Sequence, residues 1–479
     1  MSTQTSPATR KWWALAVIAA AQFMVIMDTS IIGIALPRMQ ADLGFSQENL
    51  TWVFNAYVIA FGGLLLLGGR LSDLLGARRV FAAGWIVLLG GSVLAGAATT
   101  VGAELAGRAI QGAGAALIAP AALTLLMMLF GSSPGELTKA LAVYGAAAPA
   151  GGTAGVFLGG VITEYVSWPW VFYINVPIAV LALLAVPALM PEAPARRGSL
   201  DLLGAVTATA GLAAAVYGIV RAPEVGWGSG QTWAVLAASA VLLAGFVLLQ
   251  SRRAQPLMPP AIFRAPDLAA ANLAQLLLGA AWVPMWFFLN LYLQQVLGYS
   301  AFPSGAALLP MTTLIMLGMI VVAPRAMQRF GAKPMIVTGL AILGLGLGVM
   351  SLVRPTGTFW IDVLPASLVA AGGMALAFIP SLGTAIGAAR PEEGGLASGI
   401  VNVSYQIGSA LGLAAMTALA TAFGTDELGD LPRLTDGYSA AFLGAGAVAL
   451  VGAAVTAATM SSPARRSASA AAERPARTP

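Results

Sequence analysis

The chain has 479 residues, 58% hydrophobic and 9% charged, against about 25% charged in an ordinary soluble chain; the apolar excess runs from end to end and leaves a polytopic helical membrane protein. With no cysteine and no histidine, disulfides, thiol chemistry, the commonest metal ligand and the usual proton carrier near neutral pH are all excluded. The net charge of +5 comes from short clusters between apolar runs rather than a nucleic-acid-binding face, and none of the lysines (Lys11, Lys139, Lys333) sits in a phosphate-cradling loop that would couple ATP.

A spanning helix needs roughly 20 apolar residues. On that measure fourteen spans are predicted, at 12–36, 51–69, 80–98, 101–129, 138–162, 166–189, 201–220, 231–250, 267–297, 303–324, 334–353, 358–380, 396–422 and 438–460. Residues 268–324 carry no charge, and the turn signal Gly298-Tyr-Ser-Ala-Phe-Pro303-Ser-Gly305 divides that run in two. Lys and Arg gather in alternate loops. Arg38, Arg221, Arg354 and Arg433 fall outside and only Arg108 lies within a span, so the positive-inside rule places both termini in the cytoplasm. Arg10-Lys11 before the first apolar run reads as a retained signal-anchor. The Ala/Arg/Ser/Pro stretch 461–479 reads as a disordered cytoplasmic tail.

Charges at membrane depth are costly and mark function. In the first span Asp28 is the one deep acid, about 12 Å below the outer end at 1.5 Å per residue. In the fourth, Arg108 lies about 10 Å below the outer end by the same count, so the two can pair. Glu104 competes for Arg108 as its i,i+4 neighbour. Asp28 reads as a proton-coupling or substrate-cation site, with a purely structural buried acid as the alternative.

Between spans 2 and 3 the loop is Gly69-Arg-Leu-Ser-Asp73-Leu-Leu-Gly76-Ala-Arg78-Arg79. Gly69 permits close helix approach, Gly76 a tight turn, and Asp73 can latch the cytoplasmic side by pairing with a cation; a plain positive-inside loop is the alternative. The fifth span carries Gly151, Gly155, Gly159 and Gly160, small residues that let spanning helices pack backbone to backbone. In the ninth, Trp282, Trp286 and Asn290 share one face, giving either a wall for flat apolar ligands with cation–π capacity or interhelix packing. Gln22, Tyr57, Gln111, Tyr292, Asn402 and Gln406 are also at membrane depth and must face a cavity or another helix. The outer loop Asp426-Glu427-Leu-Gly-Asp430 reads as solvated, not as a metal site.

The Gly69–Arg79 loop resembles the signature loop of the major facilitator superfamily, departing at Leu74 and Ala77. Met27-Asp28-Thr-Ser-Ile-Ile-Gly-Ile-Ala-Leu-Pro37, Arg108-Ala-Ile-Gln111-Gly112-Ala-Gly114, Trp168-Pro-Trp170-Val-Phe-Tyr-Ile-Asn175-Val-Pro177 and Ser398-Gly399-Ile-Val-Asn402-Val-Ser-Tyr-Gln406-Ile-Gly408 resemble motifs of its 14-span drug:proton antiporters. Pro169 stands where that branch usually has arginine, and Val156 where its fifth-span motif has proline. The resemblance implies an all-α fold of two six-helix bundles, 12–189 and 261–460, with spans 7 and 8 inserted at 190–260 and a tail at 1–11. It further implies a non-enzymatic exporter of hydrophobic, often cationic or aromatic drugs, dyes or antibiotics across a bacterial inner membrane. Its energy would come from the proton gradient without a cofactor, its partners would be substrate, protons and lipid, and it would work as a monomer. The alternatives are a proton-coupled transporter of an endogenous lipid, siderophore or self-made antibiotic, and a membrane sensor.

Overall fold

The computed structural model describes residues 7–45, 52–192, 201–253, 256, 260–390, 394–425 and 430–461. The expected tail beyond Ser461 and most of the acidic loop at 426–430 lie outside them. Among the described residues the secondary structure is helical throughout, as it must be where no water is available to satisfy backbone groups.

Six helices form the first bundle: α1 (Pro7–Leu43), α2 (Trp52–Leu75), α3 (Ala77–Gly96), α4 (Val101–Phe130), α5 (Pro134–Tyr165) and α6 (Trp170–Leu189). A hairpin follows, α7 (Leu202–Val225) and α8 (Gly230–Arg252). The second bundle comprises α9 (Leu268–Val296), α10 (Phe302–Phe330), α11 (Ala332–Met350), α12 (Phe359–Gly387), α13 (Gly394–Ala422) and α14 (Leu431–Thr459). Among the described residues, thirteen helices are long and apolar enough to cross a membrane. The fourteenth predicted span falls on α7, whose apolar stretch, Val206–Ile219, is shorter. At its N-terminal end Asp201 N-caps α7 through the Gly204 N–H at 2.9 Å, and it accepts from Gln250 Nε2 of α8 at 2.8 Å.

The two bundles repeat one packing scheme. In the first, α1 packs on α5, α2 and α3 on α4, and α6 on α1 and α3; in the second, α9 packs on α13, α10 and α11 on α12, and α14 on α9 and α11. The contacts between bundles obey the same correspondence: α5 meets α10, and α2 meets α13. The hairpin lies against α2 and α13, while α8 turns apolar side chains such as Val241, 71% exposed, to the lipid.

Small residues set the closest helix approaches. A Cβ on Gly155 would lie 2.8 Å from the Met27 carbonyl oxygen and one on Gly159 2.7 Å from that of Ile31, while one on Gly151 would collide with the Phe23 carbonyl. These three glycines therefore seat α5 directly on the backbone of α1. Nothing lies within 4 Å of a Cβ on Gly160, so it has no part in that seat. In the second bundle Gly408 and Gly412 of α13 meet the Leu276 and Ala280 carbonyls of α9 in the same way.

The expected loop between spans 2 and 3 contracts to one residue. Helix α2 continues through Asp73 to Leu75, Gly76 breaks the chain at φ 91°, and α3 starts at Ala77. Only glycine adopts that backbone freely. Gly331, at φ 79°, makes the matching break between α10 and α11.

Candidate functional site

The first bundle encloses a polar cluster contributed by five helices. Asp28 (α1), Ser92 (α3), Glu104, Arg108 and Gln111 (α4) and Asn175 (α6) are all 0% exposed, and Val53 and Tyr57 (α2) complete the enclosure. The α1–α5 glycine seat turns Met27 and Ile31 toward α5. Asp28, between them in sequence, extends instead toward α4 and α6.

Arg108 Nη1 donates to Asp28 Oδ2 at 2.5 Å and to Gln111 Oε1 at 2.8 Å, and its Nε donates to the Val53 carbonyl at 2.9 Å. The guanidinium lies over the Tyr57 ring, 4.6 Å from its centroid, and the Tyr57 hydroxyl donates to the Val25 carbonyl. Asp28 Oδ1 accepts from Gln111 Nε2 at 2.9 Å and from Asn175 Nδ2 at 2.6 Å. The same two amide nitrogens donate to Ser92 Oγ, at 2.8 and 3.1 Å. Asp28 thus accepts from three donors, one of them the Arg108 guanidinium. Such a pair survives burial only because hydrogen bonds surround it.

Glu104 makes no ion pair with Arg108. Neither of its carboxylate oxygens has a hydrogen-bond partner, and Arg108 Nη2 and Asn175 Oδ1 are also without one. Of the residues singled out in the sequence for a cavity, Tyr57 and Gln111 lie in this cluster instead. Ser92 and Asn175 were missed as members. Asn175 sat within a family-like segment, and Ser92 is a polar residue in the otherwise apolar 80–98 stretch; only the packing of α3 on α4 and of α6 on α1 and α3 shows what they face.

The seam between the bundles is a separate environment. Trp286 of α9 lies over Gly152 of α5, whose Cβ would be 3.4 Å from the indole and 3.8 Å from both Ile26 and Ser30 of α1. Trp282 is buried beside it, with ring centroids 6.4 Å apart. Lower in the seam, Tyr144 of α5 donates to Gln22 Oε1 of α1 at 2.8 Å, and a Cβ on Gly145 would lie 3.4 Å from Phe378 of α12. Phe378 meets Tyr405 of α13 edge-on at 5.9 Å. Asn402 and Gln406 are half-buried on α13, with Asn402 Nδ2 bonded to the Ser398 carbonyl of its own helix. Asn290 Oδ1 accepts from Ser304 Oγ of α10 and from Gln294 Nε2. Tyr292 is turned to the outer end of its helix and donates to the Arg354 carbonyl at 2.8 Å.

At the α2–α3 turn, Gly69 is buried in α2 and Asp73 half-buried in its last turns. Arg78 Nη1 donates to Glu192 Oε1 at 2.8 Å, and Arg79 is exposed. Lys11 ties the start of α1 to α5 through Glu136 at 2.7 Å.

This architecture has relatives. The sequence model of the Major Facilitator Superfamily matches residues 18–412 and 322–479, and the chain belongs to that family of multi-pass membrane transporters. It is 41% identical to a cephamycin export protein of Amycolatopsis lactamdurans, covering 92% of this chain and 90% of that one. It is 38% identical to a puromycin resistance protein of Streptomyces alboniger, over 87% of this chain and 83% of the relative. The tetracenomycin C resistance and export protein of Streptomyces glaucescens is 33% identical, over 86% and 76%. The fold resembles that of the human organic anion transporter MFSD10 (TM-score 0.68, 17% identity, 94% of this chain and 100% of that one). A proton:xylose symporter gives a TM-score of 0.66 at 13% identity, covering 93% and 95%.

Proposed function

We propose that the protein exports hydrophobic, aromatic, antibiotic-like compounds across a bacterial inner membrane in exchange for protons. The relatives named for antibiotic export and resistance support the substrate class. The observation that carries proton coupling is the Asp28–Arg108 pair, sealed inside the first bundle apart from the aromatic seam. Substrate binds in the seam against Trp286, Tyr144 and Phe378, and the proton binds on Asp28. Because α5 sits on the backbone of α1, a shift of α1 on protonation moves the helix that lines the seam. Rocking of paired bundles about a central site is the motion that such internal repeats perform. Export of a compound made by the same cell is the same chemistry with a different source.

Expression in an efflux-deficient bacterium is expected to raise resistance to flat aromatic antibiotics and to speed dye efflux, both lost when the pH gradient is collapsed. Unchanged resistance across a broad compound panel would remove the export reading. Trp286→Ala is expected to reorder the exported compounds, weakening flat aromatic ones about 2- to 10-fold, as loss of one stacking contact dictates. A uniform loss with poor expression would make Trp286 a packing residue instead.

We also assign the inner ends of α2, α3, α4 and α5 to the cytoplasm, with both termini on that side. Native cysteine is absent, so single cysteines report cleanly. In intact cells a membrane-impermeant thiol reagent is expected to label Gly228→Cys, in the exposed α7–α8 turn, and to spare Ser132→Cys, in the exposed α4–α5 turn. The reverse pattern would invert the topology.

A further inference from the structure

Protonating Asp28 creates a problem that the pair itself does not solve. Arg108 is 0% exposed, and a guanidinium does not give up its proton. Once Asp28 is neutral, Arg108 is left with uncharged partners, the Val53 carbonyl, the Gln111 amide oxygen and the Tyr57 and Phe172 rings. Leaving a buried charge without a counter-charge is strongly unfavourable, so the protonated state needs a second anion.

Glu104 is placed to supply it. It stands one helical turn from Arg108 on the same face of α4, about 6 Å nearer the outer end of the helix. It is 0% exposed, and neither carboxylate oxygen has a partner. The charged groups that act on it are Arg108 on its own helix and Asp28 from α1; Tyr57 of α2 is the nearby titratable residue, with its ring under the Arg108 guanidinium and its hydroxyl bonded to the Val25 carbonyl. A buried acid with a purely structural role is hydrogen-bonded as a rule; this one is not. Arg108 Nη2 is unused as well.

We propose that Glu104 is the exchange partner of Asp28, holding the proton while Arg108 pairs with Asp28 and taking over Arg108 when the proton passes to Asp28. This rests on Asp28 being the coupling carboxylate. The exchange balances. In one state Asp28 is the anion and Glu104 the neutral acid. The O–H bond on Glu104 then breaks, an O–H bond forms on Asp28, and the guanidinium turns from one carboxylate to the other. One carboxylate and one guanidinium remain charged throughout, so no unpaired charge is ever buried. Glu104, nearer the outer face, is the entry station for the external proton, and Asp28 is the deeper one.

The test uses the full-length protein in proteoliposomes. Glu104→Gln copies the neutral acid but never ionises. It is expected to fold with the thermal stability of the parent and to keep substrate counterflow, while accumulation driven by a pH gradient falls about 100-fold, the range for a lost proton-transfer group. Glu104→Asp should recover part of that loss. The Asp28→Asn, Glu104→Gln double variant strands Arg108 and should lose more thermal stability than the two single variants combined. Parental pH-driven accumulation in Glu104→Gln, a stability loss in that variant alone, or additive stability changes would each overturn the proposal. Asp28→Asn measured alongside separates the two readings. If it still drives accumulation, Asp28 is not the coupling site; if it is blocked while Glu104→Gln transports normally, only the role of Glu104 fails.

Discussion

Asp28→Asn is expected to reduce pH-driven accumulation of substrate in proteoliposomes to the level of protein-free vesicles, while exchange down a concentration gradient continues. Asn has nearly the shape of Asp and retains an oxygen that can accept from Gln111 and Asn175, so the first bundle still closes. What it lacks is a site for the proton and the charge that Arg108 neutralises at 2.5 Å. With no carboxylate at position 28 to receive the proton, Arg108 no longer changes partner as the proton moves, and a ligand shifts an equilibrium only by its differential affinity for the two states. Asp28→Glu keeps the chemistry but displaces the carboxylate by one methylene, and partial activity is expected. Accumulation by Asp28→Asn against a substrate gradient would show that the proton is carried elsewhere.

Gly155→Val, like a bulky substitution at Gly151 or Gly159, is expected to lower folded yield strongly, and Gly160→Ala to be among the mildest changes in α5. A side chain at 155 would occupy the space of the Met27 carbonyl and the Ser30 Cβ, each 2.8 Å from the Cβ position. Prising α5 off α1 costs about 1–3 kcal/mol for the overpacking. Position 160 has nothing within 4 Å and accepts a methyl without strain. Thermal unfolding in detergent, read with transport rates, checks the pair. Equal losses in both variants would mean that the glycine stripe works through backbone flexibility rather than through contact with α1.

The two glycine stripes show how far local sequence reaches. The four-residue spacing of Gly151, Gly155 and Gly159 announces a close helix contact, but not the partner or which glycines make it. Gly160 belongs to the same motif by resemblance and to no contact in the fold. The matching stripe in α13, Gly408 and Gly412, went unrecognised because its register against α9 is visible only when the two bundles are compared as structures. The break at Gly76 was legible for the same reason that the one at Gly331 could have been: each is a lone glycine followed by alanine and a basic residue between two apolar runs.

Composition and hydropathy by themselves determined a polytopic helical chain, because a bilayer accepts only backbones that satisfy their own hydrogen bonds. They also placed the spans in chain order and singled out Asp28, Glu104 and Arg108, because an ionisable group is too costly at that depth to be incidental. Helical rise alone put Asp28 and Arg108 at similar depth. What it could not give is rotation about each helix axis, and rotation decides contact. Only the packing of α1, α3, α4 and α6 turned Asp28 away from the seam, brought Ser92 and Asn175 to it, directed Arg108 to Asp28 rather than to its helical neighbour Glu104, and drew Tyr57 and Gln111 into the same enclosure. The separation of a charged cluster inside one bundle from an aromatic seam between the two follows from how the helices are rotated and paired, and that is set by long-range contact.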